Sequence, residues 1–218
     1  MLERCTDDFK RYDFINNTLV ESNDGDLIVY QEPVPGKRYV IGGDVAEGLT
    51  TGDYSVAVVV GYDKEIKALY RGHLEPDEFS RLLRTLGYKY NTALLAVEFN
   101  KDGNWVNTDL NINNYPNIYL RTQVDDITKT VTKSFGWLTT RNTRDFALGE
   151  AKRHFNAASI NCKPLLEEMK TFVRNKRGKP EAAPGQHDDV VMAWSISIGV
   201  LQGKNDTKDE TKVSSWVS

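Results

Sequence analysis

The chain has 218 residues, enough for one well-cored domain, and its 39% hydrophobic and 27% charged content is the ordinary balance of a soluble globular protein. A formal net charge of −3 argues against coating nucleic acid by overall electrostatics, but it is compatible with a local basic strip, and carboxylates gathered for a metal would themselves lower the balance. No apolar run approaches the ~20 residues of a membrane span, the N-terminus has no secretory pattern, and Cys5, Cys162 and the three histidines form no zinc or disulfide spacing, so a cytoplasmic protein is expected.

Residues 1–30 have mixed polarity, with turn signals at Asn16-Asn17 and Asn23-Asp24-Gly25, and are expected as a lead-in or linker from an upstream region. Within them Leu27-Ile28-Val29-Tyr30 reads as a short strand. Pro33, Pro35 and Gly36 then break the chain ahead of the stretch on which the rest is organised, YVIGGDVAEGLTTGDYSVAVVV from Tyr39 to Val60. There an apolar strand runs through Gly42-Gly43, which bring the backbone close to a neighbour, and ends in Asp44; turn chemistry from Gly48 to Asp53 leads into the β-branched run Val56 to Val60. Asp63-Lys64-Glu65 reads as a hairpin turn into a third strand, Ile66 to Gly72.

Pro76, Asp77 and Glu78 open a helix carrying Phe79, Leu82, Leu83 and Leu86 at helical spacing. Ala93 to Val97 is a continuous apolar run, the pattern of a strand buried on both faces, and it terminates in Glu98. Trp105 to Leu110 predict a helix and Ile118-Tyr119-Leu120 a further strand. Alternation of this kind predicts an α/β chain with a mixed central sheet, three antiparallel strands followed by parallel ones, flanked by helices on both faces.

The stretch from Arg121 to Thr140 has Phe135 to Leu138 as its apolar centre; Asn142 or Thr143 is the expected cap of a helix with Ala147, Leu148, Ala151 and Phe155. Pro164, Leu165, Leu166, Met169, Phe172 and Val173 predict an amphipathic helix ending in a basic hairpin or loop with Arg174, Lys176, Arg177 and Lys179. Gly185-Gln186-His187-Asp188-Asp189 then opens a helix that is apolar on nearly every side and therefore buried. Residues 203–218 are Lys, Asp, Thr and Ser rich and are expected to be a disordered tail, leaving 31–202 as the folded domain.

Asp44, Glu98 and the pair Asp188-Asp189 thus each punctuate a strongly apolar element. Magnesium and manganese take hard oxygen ligands, and two such ions about 4 Å apart can activate a water and stabilise the leaving oxygen in phosphodiester hydrolysis. Each residue also has a plainer role: Asp44 opens a turn, Glu98 pairs with a cation, and the Asp pair caps its helix. The basic loop is either solvated surface or a contact to phosphate backbone, with Lys129 and Lys133 in the preceding segment as further candidates for DNA contact.

Taken together, YVIGGDVAEG with TTGDYSVAVVV, LLAVEFN, KSFGWLTT and EMKTFVRNKRGKPEAAPGQHDDVVMAWSISIG resemble the C-terminal nuclease domain of the large terminase subunit of tailed double-stranded DNA bacteriophages, over roughly Ile28 to Leu201. HDDVVMAWSI is the most specific part. The resemblance implies an RNase H-like fold and an endonuclease that cuts concatemeric viral DNA with Mg²⁺ or Mn²⁺ during genome packaging. It makes Asp44 the metal-bridging aspartate of the first strand, Glu98 the second acidic ligand, and Asp188 or Asp189 the ligand from the last helix. It implies as partners double-stranded DNA, an ATPase motor, the small terminase subunit and the portal of the procapsid, in the cytoplasm of a bacterial host. No GxxxxGK[ST] motif occurs, so the motor is expected upstream of an excised domain or in a separate chain. Alternatives are another RNase H-like nuclease such as a Holliday-junction resolvase or transposase, an actin-like ATP-binding module, which would need a second glycine-rich phosphate loop, or a non-catalytic docking scaffold.

Overall fold

The computed structural model describes residues 9–46, 54–124, 130–155 and 161–203. In chain order the strands β1 (Lys10–Ile15), β2 (Thr18–Ser22) and β3 (Leu27–Val29) precede β4 (Tyr39–Asp44), β5 (Ser55–Gly61) and β6 (Ile66–Gly72). Helix α1 (Pro76–Lys89), strand β7 (Leu94–Val97) and helix α2 (Lys101–Ile112) follow, then the strand pair β8 (Leu120–Val124) and β9 (Val131–Phe135). The chain continues through α3 (Arg141–Phe155), α4 (Lys163–Thr171), the short strands β10 (Phe172–Arg174) and β11 (Pro180–Ala182), and α5 (Asp189–Gly203). Among the described residues no helix is long and apolar enough to cross a membrane.

Seven strands form the main sheet in the order β2-β1-β3-β6-β5-β4-β7. The three strands read around Asp44 are antiparallel neighbours, and β7 adds to β4 in parallel, with Gly43 opposite Val97. Side chains alternate across the sheet, so its two faces carry separate cores. On one, Ile41, Val59, Leu95 and Val97 pack with Phe79, Leu82, Leu83 and Leu86 of α1 and Val106 and Leu110 of α2. On the other, Val40, Val56, Val58, Val60 and Ala96 pack with Ala147 and Ala151 of α3, Leu165 of α4 and most of α5. Strands β5 and β7 are buried throughout, which is why they read as unbroken apolar runs.

Four readings of the sequence are corrected. The helix expected to carry Phe172 and Val173 ends at Thr171, because from Phe172 the backbone pairs with β11 instead. Residues 10–22, expected within a lead-in, form two strands of the main sheet beside β3, the short strand read at Leu27 to Tyr30, and Asn16 and Asn17 turn β1 into β2 with φ of 50° and 63°. Strands β1 and β2 are largely half-exposed, so they lack the apolar period that would have announced them. Ile118 makes only a parallel bridge to Leu95, and the strand begins at Leu120, pairing with β9 outside the main sheet. Helix α3 is capped by Thr140 rather than Asn142 or Thr143: the Thr143 N–H donates to Thr140 Oγ1 at 3.2 Å and the Thr140 N–H to Thr143 Oγ1 at 2.7 Å, a reciprocal cap. Residues 204–218 of the expected tail, residues 47–53 with the turn expected there, and Lys129 lie outside the described residues.

Helix α5 crosses the sheet at a glycine. A Cβ on Gly42 would lie 2.1 Å from Ala193 O and 2.5 Å from Ser197 Oγ, so only glycine lets the helix come this close. Ser197 Oγ accepts from the Gly42 N–H at 2.8 Å and donates to Val58 O or Ala193 O, each at 3.1 Å. Gly42→Ala must push α5 off the sheet and should cost about 1–3 kcal/mol of stability, whereas Gly149→Ala, in α3 with nothing within 4 Å of its added methyl, should gain roughly 0.5–1 kcal/mol. Urea unfolding of the two variants checks this, and equal stability for both would contradict the close approach.

Candidate metal centre

Asp44 and Glu98 come together because they end neighbouring parallel strands. The Glu98 N–H donates to Gly43 O at 2.8 Å, extending the ladder one step past Val97. Four further contacts hold the Glu98-Phe99-Asn100 turn. Asn100 caps α2 by accepting from the Gly103 N–H at 2.7 Å and donates through Nδ2 to Val45 O at 3.0 Å, tying the turn to the exit of β4. A Cβ on Gly103 would meet Glu98 O at 2.0 Å, so glycine lets α2 start directly beneath the carboxylate-bearing residue. Phe99 donates its N–H to Trp137 O at 2.6 Å and lies under the Arg121 guanidinium at 4.0 Å.

The third acidic element is the start of α5. Asp188 is the residue before the helix, and its carbonyl accepts the first intrahelical bond, from the Met192 N–H at 2.8 Å. Its carboxylate Oδ2 accepts from Arg144 Nη2 of α3 at 2.9 Å, and the same nitrogen donates to Pro180 O at 3.1 Å. Asp189 opens the helix, with Oδ2 at 3.6 Å from His187 Nδ1. Beneath this turn is a carboxylate that sequence reasoning missed. Glu168 of α4 is 7% exposed, and its Oε2 accepts from the N–H groups of Val190 at 2.9 Å and Val191 at 3.1 Å. Its other oxygen has no hydrogen-bond partner and faces Arg71 Nη2 at 3.8 Å. Burial pushes Glu168 up to about 7, with Asp189 adding to the rise and the two backbone donors and Arg71 opposing it. A signal for it existed, since Glu168 falls one turn after Leu165, on the face that α4 turns inward.

Electrostatics shows that the acidic groups face one another. Asp44 is held well above the usual carboxylate range, first by burial, then by the charges of Glu98 and Asp189, by a side-chain hydrogen bond with Glu98, and by Asp188. All four sequence-predicted acidic residues therefore act on one point at the end of β4. They do not form a ready cage: among the described residues no group of three or more His, Cys, Asp or Glu is set to hold an ion as it stands, and Asp188 is turned toward Arg144. The donor set is carboxylate oxygen, which suits a hard divalent cation, and the repulsion stored on Asp44 is what such a cation relieves.

Beside Asp188 lies a cleft of about 530 Å³ whose walls are Arg174, Arg177 and Lys179 from the β10–β11 hairpin and Arg141 and Arg144 from α3, with Asp145 the acidic member. The hairpin was expected to be basic; the two arginines of α3 were not, because 44 residues separate Arg144 from Asp188. Lys176 is exposed at the hairpin tip and is not among the cleft walls, and Lys133 is exposed on β9.

The strain on Asp44 makes a stability prediction. Its folded carboxyl titrates above its unfolded value, so its contribution is full at pH below the ordinary carboxylate range and is lost as pH rises through the folded value, about 1.4 kcal/mol for each unit between the two. The metal-free Asp44→Asn variant should therefore melt higher than wild type by a margin that widens from pH 4 to pH 8. A margin that stays flat or narrows in calorimetry would remove Asp44 from the carboxylate cluster.

No family model matches the sequence, and no curated protein does. Solved structures do. The large terminase nuclease from thermophilic phage G20c with bound magnesium superposes with a TM-score of 0.63 at 19% identity, covering 81% of this chain and 88% of that one. The cobalt-bound form of that nuclease gives 0.62 at 19% identity over the same shares, and a further structure of it gives 0.59 at 21% identity over 81% and 89%. At this level of identity the likeness is one of fold: the chain has the RNase H-like architecture of the large terminase nuclease, a mixed sheet held between two layers of helices.

Proposed function

We propose that the chain is a divalent-metal-dependent endonuclease that hydrolyses double-stranded DNA, as the nuclease part of a large terminase that cuts concatemeric viral DNA during packaging. The observation that carries the reading is the convergence of Asp44, Glu98 and the α5 aspartates on one point, strongly enough to hold Asp44 protonated beyond its usual range, beside a cleft walled by five basic side chains. Solved structures of the same fold with bound magnesium and cobalt support a divalent ion as the missing counter-charge.

In this reading Asp44 and Glu98, fixed by the ends of β4 and β7, hold magnesium or manganese together with Asp188 or Asp189. Two ions bound there would supply an activated water and Lewis-acid stabilisation of the leaving oxygen. The chain's own part is positional. Arg144 spans the gap between the acidic cluster and the basic cleft, and Arg141, Arg174, Arg177 and Lys179 hold the phosphodiester backbone of the strand leading to Asp44. The cleft is small beside a duplex, so the isolated chain is expected to bind DNA weakly and to cut fast when a motor, the small terminase subunit or the procapsid portal holds the DNA, in the cytoplasm of the bacterial host.

Conversion of supercoiled plasmid to nicked and linear forms tests the activity. Mg²⁺ or Mn²⁺ should support it and Ca²⁺ should not, since calcium takes a looser and larger shell. Asp44→Asn and Glu98→Gln should each lower the rate by more than about 100-fold, the upper end of what loss of an outer-shell partner costs a metal site. Undiminished cutting in excess EDTA, or by Asp44→Asn, would sink the proposal, and preferential cutting of four-way junctions over linear duplex would move it to the resolvases.

The basic hairpin has its own signature. Replacing Arg174, Arg177 and Lys179 together by Gln should weaken DNA binding about equally for all sequences and flatten the plot of log affinity against log salt by about 0.9 per lost phosphate contact. Lys176→Gln alone, off the cleft wall, should leave the slope close to wild type. An unchanged slope in the triple variant would return the hairpin to solvated surface.

A further inference from the structure

The residue before a helix ordinarily turns its own side chain back onto the second and third N–H groups, and Asp is among the best at this. In α5 that residue is Asp188 and those groups belong to Val190 and Val191, yet both N–H groups donate to Glu168 Oε2, at 2.9 and 3.1 Å. Asp188 instead extends to Arg144 on the side of the acidic cluster. The cap is thus supplied from α4, 22 and 23 residues away in sequence, by a side chain that is 7% exposed and brought in by the apolar face that also buries Leu165.

We propose that Glu168 is a positioning residue that caps α5 in place of Asp188, and so releases the Asp188 carboxylate to the metal centre. Two anionic groups cannot share the same pair of N–H donors, and the one delivered by a packed helix holds the place. Asp188 then holds its carboxylate out toward Arg144 at a fixed point of the backbone, one residue from Asp189, instead of folded against its own helix. Without Glu168, the open donors of the first turn draw Asp188 back as an ordinary cap, and the cluster around Asp44 loses a member. The inference rests on the metal-nuclease reading above for its consequence, but the exchange of caps is a property of the metal-free protein.

Three variants test it: Glu168→Ala, Glu168→Gln and Glu168→Ala with Asp188→Ala. Amide hydrogen exchange of Val190 and Val191, followed by NMR without metal, reads the cap directly. Protection should be kept in wild type and in Glu168→Gln, whose amide oxygen still accepts. It should also persist in Glu168→Ala, where Asp188 takes over, and drop about tenfold or more in the double variant, where neither side chain can accept. Calorimetric Mn²⁺ titration reads the consequence. Glu168→Ala should bind Mn²⁺ about 10–100-fold more weakly, the range seen for outer-shell partners, with the metal concentration for half-maximal cleavage rising more than the saturated rate falls. Glu168→Gln should restore both, and adding Asp188→Ala to Glu168→Ala should weaken Mn²⁺ little further, because the two act through one carboxylate. Loss of protection in Glu168→Ala alone would overturn the exchange of caps, as would additive losses of Mn²⁺ affinity in the double variant or failure of Glu168→Gln to restore binding. If wild type binds no Mn²⁺ at all the nuclease reading fails, and the amide exchange still decides whether Asp188 and Glu168 compete for the cap.

Discussion

The seating of α5 on Gly42 is the contact on which the rest of the site depends. Because position 42 has no side chain, the helix backbone reaches β4 itself, and Ser197 locks the approach by accepting from the Gly42 N–H while bonding onward to Val58 or Ala193. That contact lies two residues before Asp44 on the strand and four to eight residues into the helix that Asp189 opens. A strand and a helix pinned at one crossing have their ends fixed in relation to each other. The distance between Asp44 and the α5 aspartates is therefore set in the core, and flexible loops have little part in it.

Glu98 is fixed by a different device with the same logic. Its backbone continues the parallel ladder from Gly43, and the turn after it is closed by the Asn100 cap and by the absence of a side chain at Gly103. Two glycines, Gly42 and Gly103, thus allow two helices to crowd the strand ends that carry Asp44 and Glu98. The crowding has a cost, visible in the carboxyl of Asp44, which burial and its acidic neighbours push upward. Carboxyls perturbed in this way gather at functional sites, and the divalent cation proposed above would relieve the repulsion.

Charge is distributed in two opposed patches joined by one residue. The acidic cluster sits at the ends of β4 and β7, the basic cleft sits between α3 and the β10–β11 hairpin, and Arg144 belongs to both through its contacts with Asp188 and the cleft wall. A net charge of −3 gives no hint of this arrangement, because the opposing patches cancel in the sum. Under the proposed function, a polyanion in the cleft would meet the acidic cluster only where Arg144 and a bound cation offset the repulsion between phosphate and carboxylate.

Local pattern was enough for the central strands and the buried last helix, since continuous apolar runs in β5, β7 and α5 report burial on every side, and the acidic residues that border β4, β7 and α5 stand out against such runs. It was enough as well for the basic hairpin, whose charges are contiguous. It could not reveal the β1–β2 hairpin, whose half-exposed strands carry no apolar period, nor the Thr140 cap, which competes with equally suitable neighbours. What only the tertiary structure decided is which groups meet: Arg144 with Asp188 across 44 residues, Glu168 with the first turn of α5 across 22, and Gly42 with Ser197 across 155. Sequence records the chemistry of each side chain and the period of its own element, whereas the meeting of distant side chains follows from how sheet and helices pack, and no local period encodes that.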